Sequence, residues 1–267
     1  IISGDGGLII DNAHVTLSGM SNTYTGSTEL NNAALLTVTN NNSQGAHTSG
    51  TTVNSGTTLE YAATSDTGFG EPITVSGTGV GGSYPGALVK TDDNIEIEGG
   101  VTLAGDTTMH NAANEMFEIT SVISGDYELT LTGAVGAGRF SFTPGGNNTY
   151  GNTVVEGVQL ELNGAGNDAI PGPSILTVNA VNGKTSYVWV NNDNVISDNT
   201  IINLNNDTSQ VAGLVNIGAA DTIGTISGDG TIFMADSNAQ FNLGGDGSFG
   251  TFEGVVEGYT GSQFQII

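Results

Sequence analysis

One segment of this chain recurs at long intervals, and that self-similarity limits the folds open to it. The sequence ISGDGGLII begins at Ile2, ISGDYELTL begins at Ile123, and a looser copy, VEGYTGSQFQII, begins at Val256. Asn-Thr-Tyr triplets beginning at Asn22 and Asn148 follow the first two copies in the same order. Repeats of this length are typical of chains that wind so that each turn stacks on the previous one. They divide the chain into a first unit at 1–117, a second at 118–251 and the start of a third at 252–267.

Short alternating segments fill both units. Apolar and polar residues alternate for a few positions before a Gly, Asn or Asp, as in ITVSGTG (73–79), LTVNAVNG (176–183) and YVWVNND (187–193). This alternation predicts half-buried strands, whereas helical spacing of apolar residues is nowhere sustained. Such strands fit a sandwich, a barrel or a β-solenoid. The long repeats, and the many Asn, Thr and Ser residues that could stack as ladders, favour an all-β parallel β-helix with Gly- and Asn-rich turns.

The dimensions of such a helix follow from strand geometry. Each strand pairs in parallel with the equivalent strand one turn away, and alternate apolar side chains point into a narrow core. If a turn takes roughly 20 residues, the chain makes about thirteen turns along an axis of roughly 60 Å. One stretch, GEPITVSGTGVGGSYPGALVKTDD at 70–93, fits no repeat, and we interpret it as a loop excursion from the helix.

Charge excludes two classes of partner. The chain has 3 basic and 27 acidic residues, a formal net charge of -24. A nucleic-acid backbone would be repelled, and three dispersed cations cannot form a basic patch for an anionic membrane. The chain also lacks cysteine, which excludes disulfides and thiolate metal sites and is compatible with secretion.

The sequence shows no targeting or membrane segment. No run of 18 apolar residues could span a bilayer as a helix, and the chain starts with neither an initiator Met nor a signal peptide. We therefore expect a fragment of a longer protein that continues into further repeats.

The repeats also resemble a known family. ISGDGGL, VTLSG and NTYTGSTEL in the first unit, NTYGNTVVEGVQLELNGAGNDAIPG in the second and IGTISGDGTIFM from Ile223 are similar to the autotransporter-associated β-strand repeat. This family occurs in large bacterial surface and secreted proteins whose partners differ. The resemblance implies a right-handed parallel β-helix in an exported passenger or adhesin-like region, either anchored at the outer membrane or secreted.

These observations predict a structural and adhesive role without enzymatic activity. We expect a rigid acidic stalk that mediates adhesion or self-association, with a second copy, a protein on a host or neighbouring cell, or a neutral glycan as partner. Two alternatives stay open. One is a carbohydrate-active enzyme or glycan-binding module, and the other is an extracellular filament or matrix subunit.

No catalytic residues are predicted. A lyase acting on acidic sugars needs a base and cations, and the three basic residues are far apart in the sequence. A glycosidase needs two carboxylates, and Glu96 and Glu98 would lie on one face of a strand. Their alternation with Ile95 and Ile97 instead predicts a solvated acidic face. The three histidines, His14, His47 and His110, are isolated, which argues against a zinc site.

Calcium is the only cofactor that the residues suggest. Several acidic turns offer carboxylates and exposed carbonyls, which suit a hard cation, but none has the spacing of an EF-hand loop or of tandem calcium-binding nonapeptides. The candidate ligands are Asp5, Asp92, Asp93, Asp193 and Asp246.

Two aromatic residues are candidates for glycan contact. In YVWVNND, Tyr187 and Trp189 alternate with Val188 and Val190. A narrow core prefers aliphatic residues, so we expect the valines to point inwards and the aromatic pair outwards. The opposite assignment would bury the aromatic pair.

Overall fold

Parallel pairing between segments one turn apart organises the chain in the structure, a computed structural model that describes residues 1–82, 84–134, 138–181, 183–216, 218–244, 247 and 250–267. The chain forms a parallel β-helix of about eleven turns, which confirms the predicted fold class. Paired residues are 20 apart where Leu8 pairs with Thr28, and 29 apart where Leu59 pairs with Leu88. Turns longer than 20 residues explain why thirteen, the number predicted from sequence, was too many.

The described regular elements are 29 strands and one short 3-10 helix, η1 (Asn41–Gln44). The strands are β1 (Ser3–Gly4), β2 (Leu8–Asp11), β3 (His14–Leu17), β4 (Thr23–Tyr24), β5 (Thr28–Asn31), β6 (Leu35–Val38), β7 (Thr51–Val53), β8 (Thr58–Tyr61), β9 (Thr67–Phe69), β10 (Ile73–Gly77), β11 (Leu88–Lys90), β12 (Ile95–Ile97), β13 (Val101–Asn111), β14 (Met116–Ile119), β15 (Ile123–Ser124), β16 (Leu129–Gly133), β17 (Arg139–Phe142), β18 (Thr153–Glu156), β19 (Gln159–Leu162), β20 (Ile175–Asn179), β21 (Ser186–Val190), β22 (Ile201–Asn205), β23 (Ala212–Asn216), β24 (Ala220–Ile223), β25 (Thr225–Gly228), β26 (Thr231–Met234), β27 (Gln240–Leu243), β28 (Val255–Gly258) and β29 (Gln263–Ile266).

The strands stack on three faces, which each turn visits in the same order. The first face holds β2, β5, β7, β10, the start of β13 and β15, then isolated bridges, and finally β24, β27 and β29. The second face holds β3, β6, β8, β11, the end of β13, β16, β18, β20, β22 and β25. The third face is a nine-stranded sheet of β9, β12, β14, β17, β19, β21, β23, β26 and β28. β1 and β4 form a separate pair in the first two turns.

The core is a set of stacked columns of inward side chains. On the second face Leu36, Leu59 and Leu88 pair in register and are fully buried. On the third face the rings of Phe117 and Phe140 stack at 5.3 Å between centroids. Each turn therefore buries apolar side chains against the turns on either side, which is how a chain with only 37% hydrophobic residues closes a core.

The predicted excursion at 70–93 leaves the coil only between its two strands. Ile73–Gly77 and Leu88–Lys90 pair with turns on both sides. The connection between these strands returns over the second face, where the Thr58 hydroxyl donates to Gly86 O at 2.9 Å and the rings of Tyr84 and His14 lie 6.4 Å apart. Val89, on the outward side of its strand, is fully buried.

The long repeat is out of phase with the coil. The copy at Ile2 lies in the third position of its turn, that at Ile123 on the first face, and that at Val256 on the third face. Successive copies therefore do not keep one fixed position in the turn. Within the described ranges, no helix has the length and apolar character needed to cross a membrane.

Candidate functional site

The predicted calcium ligands that the structure describes lie at three separate places along the coil. Asp5 and Asp193 are exposed and lie many turns apart, and the Asp193 carboxylate accepts a hydrogen bond from Ala220 N at 2.7 Å. Asp92 and Asp93 are neighbours in one turn, where Asp92 O accepts a hydrogen bond from Lys90 Nζ at 2.8 Å. Asp246 lies outside the described residues. Among the residues described, no three His, Cys, Asp or Glu side chains are grouped to hold a metal ion, and calcium binding stays a prediction.

Carboxylates on the third face follow the predicted orientation. Ile95 and Ile97 are buried, Glu96 is half-buried and Glu98 is exposed, as the alternation indicates. Glu96 pairs in register with Glu118, and both line an open cleft of about 460 Å³ together with Asp66. The Glu118 carboxylate accepts hydrogen bonds from Thr143 at 2.7 Å and Ser141 at 3.4 Å. These hydrogen bonds join Glu118 to the next turn of the coil.

An aromatic group occupies the outer side of the same face, further along the axis. Val188 and Val190 are fully buried, while Tyr187 and Trp189 point outwards and are half-buried, which confirms the predicted orientation of this strand. Trp189 pairs in register with Val215, and Val215 pairs with Phe233. Phe233 therefore lies in the same column as Trp189, two turns further along the axis. The Tyr187 and Phe233 ring centroids are 6.1 Å apart in an edge-to-face arrangement. We call Tyr187, Trp189 and Phe233 the aromatic platform.

The strand between these residues explains how the platform packs on the sheet. Gly213 pairs in register with Tyr187, and a Cβ atom placed on Gly213 would lie 2.6 Å from Tyr187 Cδ1. The tyrosine ring therefore lies across the bare glycine backbone. Val215, on the outward side of the same strand, is only 5% exposed. The aromatic rings cover this strand and stay half-buried, in the manner of an aromatic residue packed across a glycine in a sheet.

The platform continues into a cleft at its far end. Phe233, Glu257 and Tyr259 line this cleft, which has a volume of about 300 Å³. Tyr259 is 67% exposed. The cleft therefore adds a second aromatic wall and a carboxylate to the platform, at the lower size limit of small-ligand sites.

None of the three basic side chains offers a free cation to the platform. Arg139 forms an ion pair with Glu161 at 3.3 Å. Glu161 lies in the strand that pairs with the Trp189 strand on this face. Lys184 Nζ donates to Gly133 O at 2.7 Å. Lys90 is fully buried. The surroundings of the platform are therefore acidic. They can accept hydrogen bonds from hydroxyl groups, and they contain no unpaired cationic side chain that would attract an anion.

Glu71, Asp221 and Lys90 are buried away from the platform. Burial raises the pKa of Glu71 to about 7, against the opposing effects of His47 and of a hydrogen bond from Thr51. Burial also raises the pKa of Asp221 to about 7, although its carboxylate accepts hydrogen bonds from backbone N–H groups. Burial lowers the pKa of Lys90 to about 8. All three groups lie inside the coil, where they affect stability and not surface chemistry.

Sequence reasoning identified only part of this site. Phe233 and Tyr259 are 44 and 70 residues beyond Trp189, and nothing in their local sequence connects them to it. Gly213 resembles any other glycine of the 42 in the chain. The only usable signal was outward alternation within each strand, because the alignment of one turn with the next depends on connection lengths.

Comparison with known proteins gives no relative. No protein-family model, curated protein or solved structure matches the chain. The resemblance to the autotransporter-associated repeat stays a prediction, and the structure supports the β-helical fold that it implies.

Proposed function

We propose that this chain is a structural and adhesive segment of a bacterial cell-surface or secreted protein, a stiff acidic stalk that presents its side faces to partners. The observation that carries this proposal is the parallel ladder that joins all turns into one body. Each turn pairs with its neighbours on either side, so bending the rod would break hydrogen bonds on at least one face. A continuous rod of this kind suits the transmission of force and the display of a surface at a distance.

The outer composition agrees with a role outside the cell. A net charge of -24 keeps such rods soluble and apart from one another except at matching surfaces. Ladders of side-chain amides reinforce the stack: Asn54 donates to Asn31 at 2.8 Å, Asn191 to Asn163 at 2.7 Å and Asn205 to Asn179 at 2.8 Å. These bonds carry no charge and are less sensitive to salt than ion pairs.

An adhesion measurement tests this proposal. Beads coated with the purified chain should cluster with each other, or bind to bacterial or epithelial cells, at 0.15 M salt. Beads coated with an unrelated protein of similar size and negative charge provide the control. Equal behaviour of the two bead types in both assays would contradict the adhesive role.

The two alternatives have separate signatures. A carbohydrate-active enzyme would release sugars from a polysaccharide panel, whereas a binder would retain the polymer intact. A filament or matrix subunit would appear as helical polymers in electron micrographs of the purified chain.

A further inference from the structure

We propose that the aromatic platform and the adjoining cleft form a binding site for a neutral polysaccharide chain that runs along the axis of the coil. This inference rests on the proposed adhesive function and names its partner. The residues that carry it are Tyr187, Trp189 and Phe233, with Glu257 and Tyr259 in the cleft.

The rings provide flat apolar surfaces. Tyr187 lies across Gly213, meets Phe233 edge to face and is half-buried, so part of its ring stays accessible to solvent. The face of an aromatic ring carries partial negative charge, so it attracts the C–H bonds on the apolar side of a sugar ring. A flat ring that is held in place also loses little conformational entropy on binding.

The spacing of the rings favours a polymer over a single sugar. Trp189 and Phe233 stand two turns apart in one column, which corresponds to about 10 Å at the spacing of neighbouring strands. The same column runs from Glu161 to Glu257 over four turns, or roughly 19 Å. A ligand in contact with both rings must therefore be longer than one sugar ring.

Charge decides which polysaccharides fit. The carboxylates of Glu257 and of Glu161, which pairs with Arg139, can accept hydrogen bonds from the hydroxyl groups that every neutral sugar offers. A polyanion would meet these carboxylates and a net charge of -24 without any free cation to balance its own charge. Neutral chains are therefore expected to bind and uronic-acid chains to be rejected.

Affinity gel electrophoresis of the full chain tests this inference. Native gels should contain hydroxyethylcellulose, xyloglucan or mannan as neutral probes, polygalacturonate as an anionic probe and chitosan as a cationic one. At least one neutral polymer should slow the wild-type chain, and 0.5 M NaCl should not abolish the effect in a matching solution assay. Retardation by none of the neutral polymers, or only by a charged one, would overturn the proposal.

Conservative variants connect binding to the platform. Tyr187→Leu and Phe233→Leu keep an apolar cover over the strand but remove the aromatic face, and each should weaken binding at least tenfold. Tyr127→Leu is the matched control, because Tyr127 is 43% exposed outside the platform. Unchanged circular dichroism and melting temperature would show that each variant is folded. Full binding by a folded Tyr187→Leu/Phe233→Leu double variant would also overturn the proposal.

Tryptophan fluorescence provides a second readout. Trp189 is the only tryptophan of the chain, so its emission reports on the platform directly. A neutral polymer that binds there should shift or quench this emission with saturation, and the effect should shrink in Tyr187→Leu. Binding without any change in emission would place the polymer elsewhere on the rod.

The bead assay distinguishes failure of this inference from failure of the proposed function. If platform variants cluster and adhere like the wild type, adhesion stands and the glycan site is wrong. If wild-type beads do not adhere but the soluble chain binds a neutral polymer through the platform, the glycan site stands and the adhesive role is wrong.

Discussion

Asn22 and Asn148, 126 residues apart in the chain, make the same two hydrogen bonds across the turns of the coil. The Asn22 Oδ1 atom accepts from Ile2 N and its Nδ2 atom donates to Ser43 O, each at 2.8 Å. Asn148 does the same with Ile123 N and Ala169 O, also at 2.8 Å. Each side chain thus connects the turn before its own to the turn after it. The repeated Asn-Thr-Tyr motif is therefore a structural connection between three turns.

This relationship predicts a large effect of a small substitution. Asn148→Ala should lower the free energy of unfolding by about 3 kcal/mol, because it leaves a buried donor and a buried acceptor without partners. Denaturant unfolding followed by circular dichroism measures the change. Asn147→Ala removes only one exposed acceptor, the Oδ1 atom that accepts from Asp168 N at 3.1 Å, and should cost less than about 1 kcal/mol. Equal losses in the two variants would contradict the bridging role.

The raised pKa of Glu71 predicts that the free energy of unfolding falls as the pH rises. Its pKa is raised to about 7 in the folded protein, from an ordinary value of 4.5, so the folded state holds the proton more tightly. The contribution of Glu71 to the free energy of unfolding is fully present below pH 4.5. It falls by roughly 3 kcal/mol as the pH rises through about 7. Glu71→Gln should remove this part of the pH dependence, as measured by denaturant unfolding at pH 5 and pH 7.5.

The comparison of variant with wild type isolates this carboxyl. Asp221, with a pKa of about 7, and His110, whose burial lowers its pKa to about 4, affect both proteins alike. Glu257→Gln controls for the loss of one negative charge at an exposed position. An unchanged difference between pH 5 and pH 7.5 in Glu71→Gln would exclude Glu71 as the source.

The lowered pKa of Lys90 predicts that the free energy of unfolding rises with pH in a higher pH range. Burial lowers its pKa to about 8 from an ordinary value of 10.5, so between these values the unfolded chain binds the proton and the folded chain does not. The contribution of this group to the free energy of unfolding should rise by about 2 kcal/mol from pH 7.5 to pH 9.5. Lys90→Met, which keeps the apolar stem, should lack this rise.

A second lysine controls for charge in that experiment. Lys184→Met removes the same charge from a half-buried side chain that bonds to a backbone carbonyl. The rise should persist in this variant. A rise of the same size in Lys90→Met would show that another group produces it.

The close approach of the Tyr187 ring to Gly213 predicts that substitutions at these two positions have coupled effects on stability. Gly213→Ala places a Cβ atom 2.6 Å from Tyr187 Cδ1, so the ring must move, at a cost of about 1–3 kcal/mol. In Tyr187→Ala the same glycine substitution should cost less, because the ring is absent, and a double-mutant cycle measures this coupling. Gly100→Ala, where a Cβ atom would meet nothing within 4 Å, is the matched control. Additive effects of the two substitutions would contradict the contact.

Local patterns in the sequence predicted the strands well and the stacking poorly. The alternation around Ile95 and around Val188 correctly indicated which side chains point inwards, because neighbouring residues of a strand point to opposite faces. The number of turns was wrong because connections of different length separate the strands. The second half of the platform was missed for the same reason, since Phe233 meets Trp189 only through the pairing of two further turns.

The sequence by itself determined that this chain forms short half-buried strands, that its charge repels polyanions, and that its repeats wind into a parallel β-helix. Only the tertiary structure decided which residues are neighbours across turns: Tyr187 over Gly213, Asn148 between two turns, and Glu71 inside the coil. The physical reason is that strand direction and alternation depend on adjacent residues. Contacts along the axis depend on the length of every connection between them, which varies from turn to turn.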